Sequence, residues 1–211
     1  MKIDVAASIN DTRSELMTHR TIIVIDVLRA TSSIVTAIDR GTTGVIPVKT
    51  VHQAKQLKQE SDLLVGERFC KKIAGFDLGN SPTELLHADL KGRRVILTST
   101  NGTRVIEKSC KAAHVLAGSF LNANACADAA IALGREVLII CAGTRDQFSL
   151  EDGLCAGMIV AQIKRATDTE PVLNDFAKAM YWSYLHNEQN LEETLLQCEN
   201  GVRLTQLGHL E

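Results

Sequence analysis

The segments "TIIVIDV" (residues 21–27) and "REVLIICAG" (residues 135–143) constrain the fold most. Runs this apolar and this short, bounded by polar residues, are strands buried on both faces, which requires helices above and below a mainly parallel sheet. The rest of the chain repeats the alternation. "ATSSIVTAIDR" follows the first run with a helical pattern, "GVIPV" (44–48) precedes "TVHQAKQLKQE", and "DLLVG" (62–66) enters a long polar loop. "RRVILTS" precedes "NGTRVIEKSC", "AHVLAGS" precedes "NANACADAAIALG", and the second run precedes "SLEDGLCAGMIVAQIKRA". This order predicts an α/β domain of three layers, α/β/α, with a mainly parallel or mixed sheet. From about residue 170 the pattern is helical only. With no Pro/Ser-rich linker, one domain over 1–211 is expected, closed by a helical C-terminal region.

Composition removes several function classes. The formal net charge is -2, from 23 basic and 25 acidic residues, with no long basic run, so nucleic acid and anionic membrane are poor partners. Aromatics at 4% leave few platforms for stacked bases. No run reaches the roughly 18 residues of a membrane span, and the start "MKIDVAASIN" lacks a signal-peptide core, so a cytoplasmic location is expected. The six cysteines have neither C-x-x-C nor metal-site spacing, and most sit in apolar segments as small hydrophobes. Met180, Tyr181, Trp182 and Tyr184 in the helical region suit a homodimer interface and packing onto the sheet equally.

In parallel sheets, ligands gather at the carboxyl ends of strands, where the polar segments of this chain fall. After residues 94–97 come Thr98, Ser99, Thr100, Asn101, Gly102, Thr103 and Arg104. Small hydroxyls, a glycine allowing close backbone approach and a helix start make an anion site, to which Arg104 would add a bidentate contact. The same residues would also serve as plain helix caps. "VIDVLRATSS" offers Asp26 as metal ligand or base, with Arg29, Thr31 and Ser32 toward an anion. The bland alternative is an Asp26–Arg29 ion pair beside a Thr31 cap.

"GERFCKKIAGFDLGNSP" supplies Glu67 and Arg68 directly after a buried strand, then Asn80 and Ser81 ahead of Pro82. Its last residues read more readily as a turn and cap than as a site. "CAGTRDQFSLEDG" places Gly143 and Thr144 at a strand end and Glu151 and Asp152 in the first turn of a helix. Acidic residues there also suit the helix dipole. Together, Asp26, Glu67, Glu151 and Asp152 would form a hard oxygen shell suited to Mg²⁺.

Other chemistries are excluded. There is no P-loop and no G-x-G-x-x-G fingerprint. A cysteine-phosphatase loop needs Arg six positions past the nucleophile, and Cys141 has Gln147 there. An aspartyl-phosphatase motif needs Asp two residues after Asp26, where Leu28 stands. The histidines form no zinc-spaced pair.

The blocks "VIDVLRATSSIVTAI", "LLVGER", "GFDLGNSP", "TSTNGTR", "GSFLNANA" and "CAGT…FSLEDGLCAG", in this order, closely resemble the 2-phosphosulfolactate phosphatases, the ComB family. The resemblance runs from about residue 21 to 157 and is weaker in the helical tail, beyond which family members often continue. Ser99 stands where the family pattern has Thr, which keeps the hydroxyl. The resemblance implies a Mg²⁺-dependent acid phosphatase converting 2-phospho-3-sulfolactate to 3-sulfolactate and phosphate, a step in coenzyme M biosynthesis. On that basis Asp26, Glu67 and Asp152 would hold Mg²⁺, with Glu151 as substitute. Residues Thr100 to Arg104 would cradle one anion while Arg29 and Arg68 neutralise others. A phosphatase for another 2-phosphorylated acid, or a non-catalytic phospho-metabolite binder, would show the same residues.

Overall fold

The computed structural model describes residues 1–209, with the backbone alone for Ser14. Its strands are β1 (Lys2–Ala6), β2 (Thr21–Ile25), β3 (Gly44–Val48), β4 (Leu63–Arg68), β5 (Lys71–Lys72), β6 (Arg94–Thr98), β7 (His114–Gly118), β8 (Val137–Cys141) and β9 (Val172–Leu173). Its helices are α1 (Ser14–Met17), α2 (Ala30–Asp39), α3 (Val51–Leu57), α4 (Pro82–Leu86), α5 (Gly102–Lys108), α6 (Ala123–Ala132), α7 (Leu150–Ala166), α8 (Asp175–Asn187), α9 (Leu191–Gln197) and α10 (Glu199–Gln206). The fold is α/β, as the alternation requires, and the C-terminal region is mainly helical.

The strands divide into two sheets rather than one. The first has the order β7-β2-β8-β1-β9 and every pair in it is parallel. The second, β3-β6-β4-β5, is parallel except for the antiparallel β4–β5 pair. Sequence position explains the division: β3 to β6 form a unit inserted between β2 and β7 of the first sheet. Strands β2 and β8 are central and buried throughout. Their alternate side chains serve opposite faces, as a pleat demands. Ile23, Ile25 and Ile139 meet α6, α7 and α8, while Ile22, Val24, Leu138 and Ile140 meet Val105 of α5. The second sheet is covered likewise by Ala37 of α2 and Leu85 of α4 on one face and Ala54 of α3 on the other.

Three elements depart from the expectation. β1, "KIDVA", alternates partly buried and buried positions, so its apolar run is too short to stand out, yet it pairs with β8 and β9. β9 is only two residues long. The supposed polar loop after residue 66 begins as strand: β4 continues through Glu67 and Arg68, turns at Phe69 and Cys70, and pairs back through β5. Both turn residues have positive φ, 56° and 64°, as a two-residue hairpin turn of the primed type needs.

In the C-terminal region Met180 and Tyr184 are buried against α7, whereas Trp182 is 62% exposed. Gly157 lets α7 and α8 approach so closely that a Cβ there would run into the Met180 carbonyl. Because that obstacle is backbone, Gly157→Ala is expected to lower unfolding free energy by about 1–3 kcal/mol, read from urea denaturation. An unchanged midpoint would show that the helices separate freely.

Candidate active site

The carboxyl ends of β2 and β8 in the first sheet, and of β4 and β6 in the second, converge on one polar cleft of about 110 Å³. Asp26 lies in its lining just after β2 and is 7% exposed. Its Oδ1 accepts from the Ala30 N–H at 3.1 Å and its Oδ2 from the Gly102 N–H at 2.7 Å. The loop that presents it is tied by hydroxyls. Thr31 Oγ1 accepts from the Asp26 N–H and donates to the Asp26 carbonyl, and Ser32 Oγ donates to the Val27 carbonyl. Burial, offset in part by the two backbone N–H groups, raises the Asp26 pKa from 3.8 to about 6, and the Glu67 and Glu151 charges push the same way.

Glu67 enters from the second sheet. Its Oε1 accepts from the Thr100 hydroxyl at 2.9 Å and its Oε2 from the Cys70 N–H at 2.7 Å, so one side chain staples the β4–β5 turn to the β6–α5 loop. Asn80 also lines the cleft; it is 3% exposed and its Oδ1 has no partner among the described residues. A buried amide oxygen left without a donor costs free energy unless something else uses it.

Asp152 is buried behind the cleft and bridges two loops. Its Oδ1 accepts from the Val27 N–H at 2.8 Å and its Oδ2 from the Gly143 N–H at 2.9 Å. Burial, then the Asp26 and Glu151 charges, raise its pKa well above the ordinary carboxylate range. Glu151, equally buried, accepts at 2.6 Å from Asn200 of α10. The four carboxylates expected to form one shell therefore divide: Asp26 and Glu67 line the cleft, whereas Asp152 and Glu151 hold loops and the C-terminal region in place. Among the described residues no three His, Cys, Asp or Glu side chains are grouped to hold a metal ion. The hard oxygens on the lining, two carboxylates and the orphaned Asn80 Oδ1, still suit a divalent cation that fills most of its shell with water and substrate oxygens.

Several expected anion contacts are taken by the protein itself. Gly102 gives its N–H to Asp26, and the Thr103 N–H and hydroxyl both bond Ser99, so the α5 start is closed to a ligand. Ser99, Thr100 and Asn101 remain on the lining. Arg104 turns away to Asp146 at 2.6 Å and Asn10 at 3.1 Å, and this guanidinium holds the Asp146 carboxyl below its usual range. Arg68 donates to the carbonyls of Glu67 and Lys49. Ser81 caps α4 by accepting from the Glu84 N–H. Thr31 is fully buried and Ser32 faces a separate, largely apolar groove. Gly143 has φ 64°, permitting the tight turn that brings its N–H to Asp152, and Thr144 lines the cleft.

Of the expected cations only Arg29, 6% exposed, lies on the lining. Two others join it that the sequence reading passed over: Arg145, in the turn after Thr144, and Arg203 of α10. Arg145 directly follows Thr144 at a strand end, and that position in the polar run marks it. Arg203 has no such signal, lying in an amphipathic helix with no motif around it. Among the described residues, four of the five non-glycine positions with positive φ, Phe69, Cys70, Arg145 and Asp146, belong to the two turns flanking the cleft. Strained backbone concentrates at ligand sites. The buried Cys141 thiol is pushed well up by burial and by the nearby Asp152 and Glu151, so it is no thiolate nucleophile. No helix among the described residues is long and apolar enough to cross a membrane.

A cleft lined by two carboxylates, one of them buried, with hydroxyls and arginines at the ends of parallel strands fits work on a small anionic ester, and comparison with known proteins agrees. The family model for 2-phosphosulpholactate phosphatase matches residues 7–211. A protein of Thermotoga maritima named probable 2-phosphosulfolactate phosphatase is 44% identical over 189 residues, covering 90% of this chain and 80% of its own. Proteins of the same name from Caldanaerobacter subterraneus and Clostridium acetobutylicum are 41% and 39% identical, covering 97% and 99% of this chain and 84% and 89% of theirs. The order of blocks read in the sequence and these matches coincide: the chain belongs to the 2-phosphosulfolactate phosphatase family, enzymes that hydrolyse a phosphoric monoester.

Proposed function

We propose that this cleft hydrolyses 2-phospho-3-sulfolactate to 3-sulfolactate and phosphate with Mg²⁺ as cofactor, a reaction of the kind used in coenzyme M biosynthesis. The observation that carries the reading is the buried Asp26, raised to about 6, on one lining with Glu67 and the unpartnered Asn80 Oδ1. Like charges and an orphaned oxygen are each unfavourable alone, and a shared divalent cation relieves both.

Asp26 and Glu67 would hold the ion, with Asn80 Oδ1 as a neutral donor. When bound, Mg²⁺ would supply charge neutralisation and a polarised water. The chain does the rest by positioning. Gly102 and Ala30 fix the Asp26 carboxylate, Thr100 and the Cys70 N–H fix that of Glu67, and Asp152 holds the β2–α2 loop against the β8–α7 loop. Arg29 and Arg145 add positive charge for an ester that carries phosphate, sulfonate and carboxylate together. Preorganised charge of this kind is the main contribution a protein makes to phosphoryl transfer.

The test is phosphate release from racemic 2-phospho-3-sulfolactate, with Mg²⁺ or with EDTA, beside 2-phospholactate and phosphoglycerate. Turnover that needs Mg²⁺ and prefers the sulfonated ester is expected. Equal rates on all three would keep a phosphatase and remove the sulfonate specificity. No release from any of them would make the cleft a binding site only.

A further inference from the structure

The cleft is completed by the C-terminal helix α10, which no motif marks. Asn200 reaches into the first turn of α7: its Nδ2 lies 2.6 Å from Glu151 Oε1, 2.8 Å from Thr144 Oγ1 and 3.3 Å from Ser149 Oγ. An amide NH₂ has two hydrogens, so all of its donor capacity goes to this corner. Gly201 seats the helix, since a Cβ there would run into the Leu195 carbonyl of α9. α10 is thus held in register by Asn200, and one turn onward Arg203 joins the cleft lining.

Arg203 is half-buried, yet its side chain makes no hydrogen bond or ion pair among the described residues. Arg145 of the same lining is also without such a partner among the described residues but is exposed, whereas Arg104 is held by Asp146 and Asn10, and Arg68 by two carbonyls. A guanidinium carries five donors in a rigid fork, and one brought to a ligand cleft without a protein partner is matched to a planar or pyramidal oxyanion. Asp26, Glu67 and Asn80 gather where the ion and the phosphoryl group would sit. Arg203 comes from a different wall, with the C-terminal region.

We propose that Arg203 is a specificity-determining residue that binds the second acidic group of the substrate, the sulfonate or carboxylate that is not transferred. On this view the C-terminal helix selects phosphate esters of polyanionic acids over simple monoesters. Asn200 and Glu151 are positioning residues for it. The inference rests on the phosphatase reading above and names the group that reading leaves unassigned.

The experiment compares wild type, Arg203→Met and Arg203→Lys in full-length protein with Mg²⁺. Each is assayed on 2-phospho-3-sulfolactate, 2-phospholactate and 4-nitrophenyl phosphate, and titrated with 3-sulfolactate by calorimetry. For Arg203→Met the ratio of kcat/KM on 2-phospho-3-sulfolactate to that on 4-nitrophenyl phosphate should fall about 10- to 100-fold, as expected for losing a charged hydrogen-bond partner. The fall should lie in KM, 3-sulfolactate binding should weaken in parallel, and Arg203→Lys should recover part of both. A fall shared by 2-phospholactate identifies the carboxylate; one confined to the sulfonated ester identifies the sulfonate. A proportional loss on all three esters, or no change on any, overturns the assignment while wild-type turnover keeps the phosphatase reading. Wild-type protein that neither hydrolyses these esters nor binds 3-sulfolactate overturns both.

Discussion

Asp26→Asn protein is expected to lose about a thousandfold in kcat/KM for phosphate release under saturating Mg²⁺, the scale seen when a preorganised electrostatic group is removed. The side chain does two things that an amide does only in part. It carries a charge into a cleft where it is 7% exposed, and its two oxygens accept from Ala30 and Gly102 on opposite sides. Asparagine keeps the shape but has one acceptor, so an NH₂ must face one of those N–H groups. Retained melting temperature with near wild-type turnover would remove Asp26 from the site.

The same pair of proteins reports the carboxyl's titration. Asp26 has its folded pKa raised from 3.8 to about 6, so between those values the folded chain binds more protons than the unfolded one. Its protonated form contributes stability that is fully present below about pH 4 and is lost as pH rises through 6. Two units at about 1.4 kcal/mol each give roughly 3 kcal/mol for wild type minus Asp26→Asn across that window. Urea unfolding in EDTA at several pH values measures it, and a flat difference would contradict the raised pKa. Other carboxylates titrate with the opposite sign: Asp62 and Asp146, for example, are lowered by Arg94 and Arg104. The difference between the two proteins, rather than the wild-type curve, therefore carries the information.

The second large effect comes from a residue with no side chain. A Cβ on Gly102 would stand 2.7 Å from Asp26 Oδ2 and 2.8 Å from the Ala30 Cβ. Gly102→Ala must either push α5 from the cleft floor or turn the Asp26 carboxylate, and both break the 2.7 Å bond from the Gly102 N–H. A displacement near 1 Å at reacting groups costs on the order of a hundredfold in rate, so kcat should fall about that far. KM should change less, since the arginines lie elsewhere on the lining. Phosphate-release kinetics decide it: an unchanged kcat would mean that the contact between the two loops has room to give.

Much of the fold was legible in the chain because it is recorded locally. Buried strands such as 21–25 and 137–141 are continuous apolar runs, and the helices after them keep their own periodicity. β1 was not legible: alternation over five residues is a weak signal until β8 and β9 flank it. Nor was the separation into two sheets, since no residue of β3 or β6 states which strands it will pair with.

The candidate site divides the same way. Asp26, Glu67, Thr100, Asn101 and Thr144 are legible in the sequence because polar groups that follow a buried apolar run gather at a strand end. Which of those groups stay available to a ligand is decided by partners distant in the chain. Arg104 meets Asp146, Gly102 meets Asp26, and Glu151 meets Asn200. Burial and strand–loop order are local properties, so an α/β protein of this family with polar groups at its strand ends can be read from the chain alone. Folding in three dimensions is what turns two carboxylates to the cleft while two brace it, and what brings Arg203 of α10 to the cleft lining. Hydrogen-bond partners are chosen by proximity in space, and no spacing along the chain encodes it.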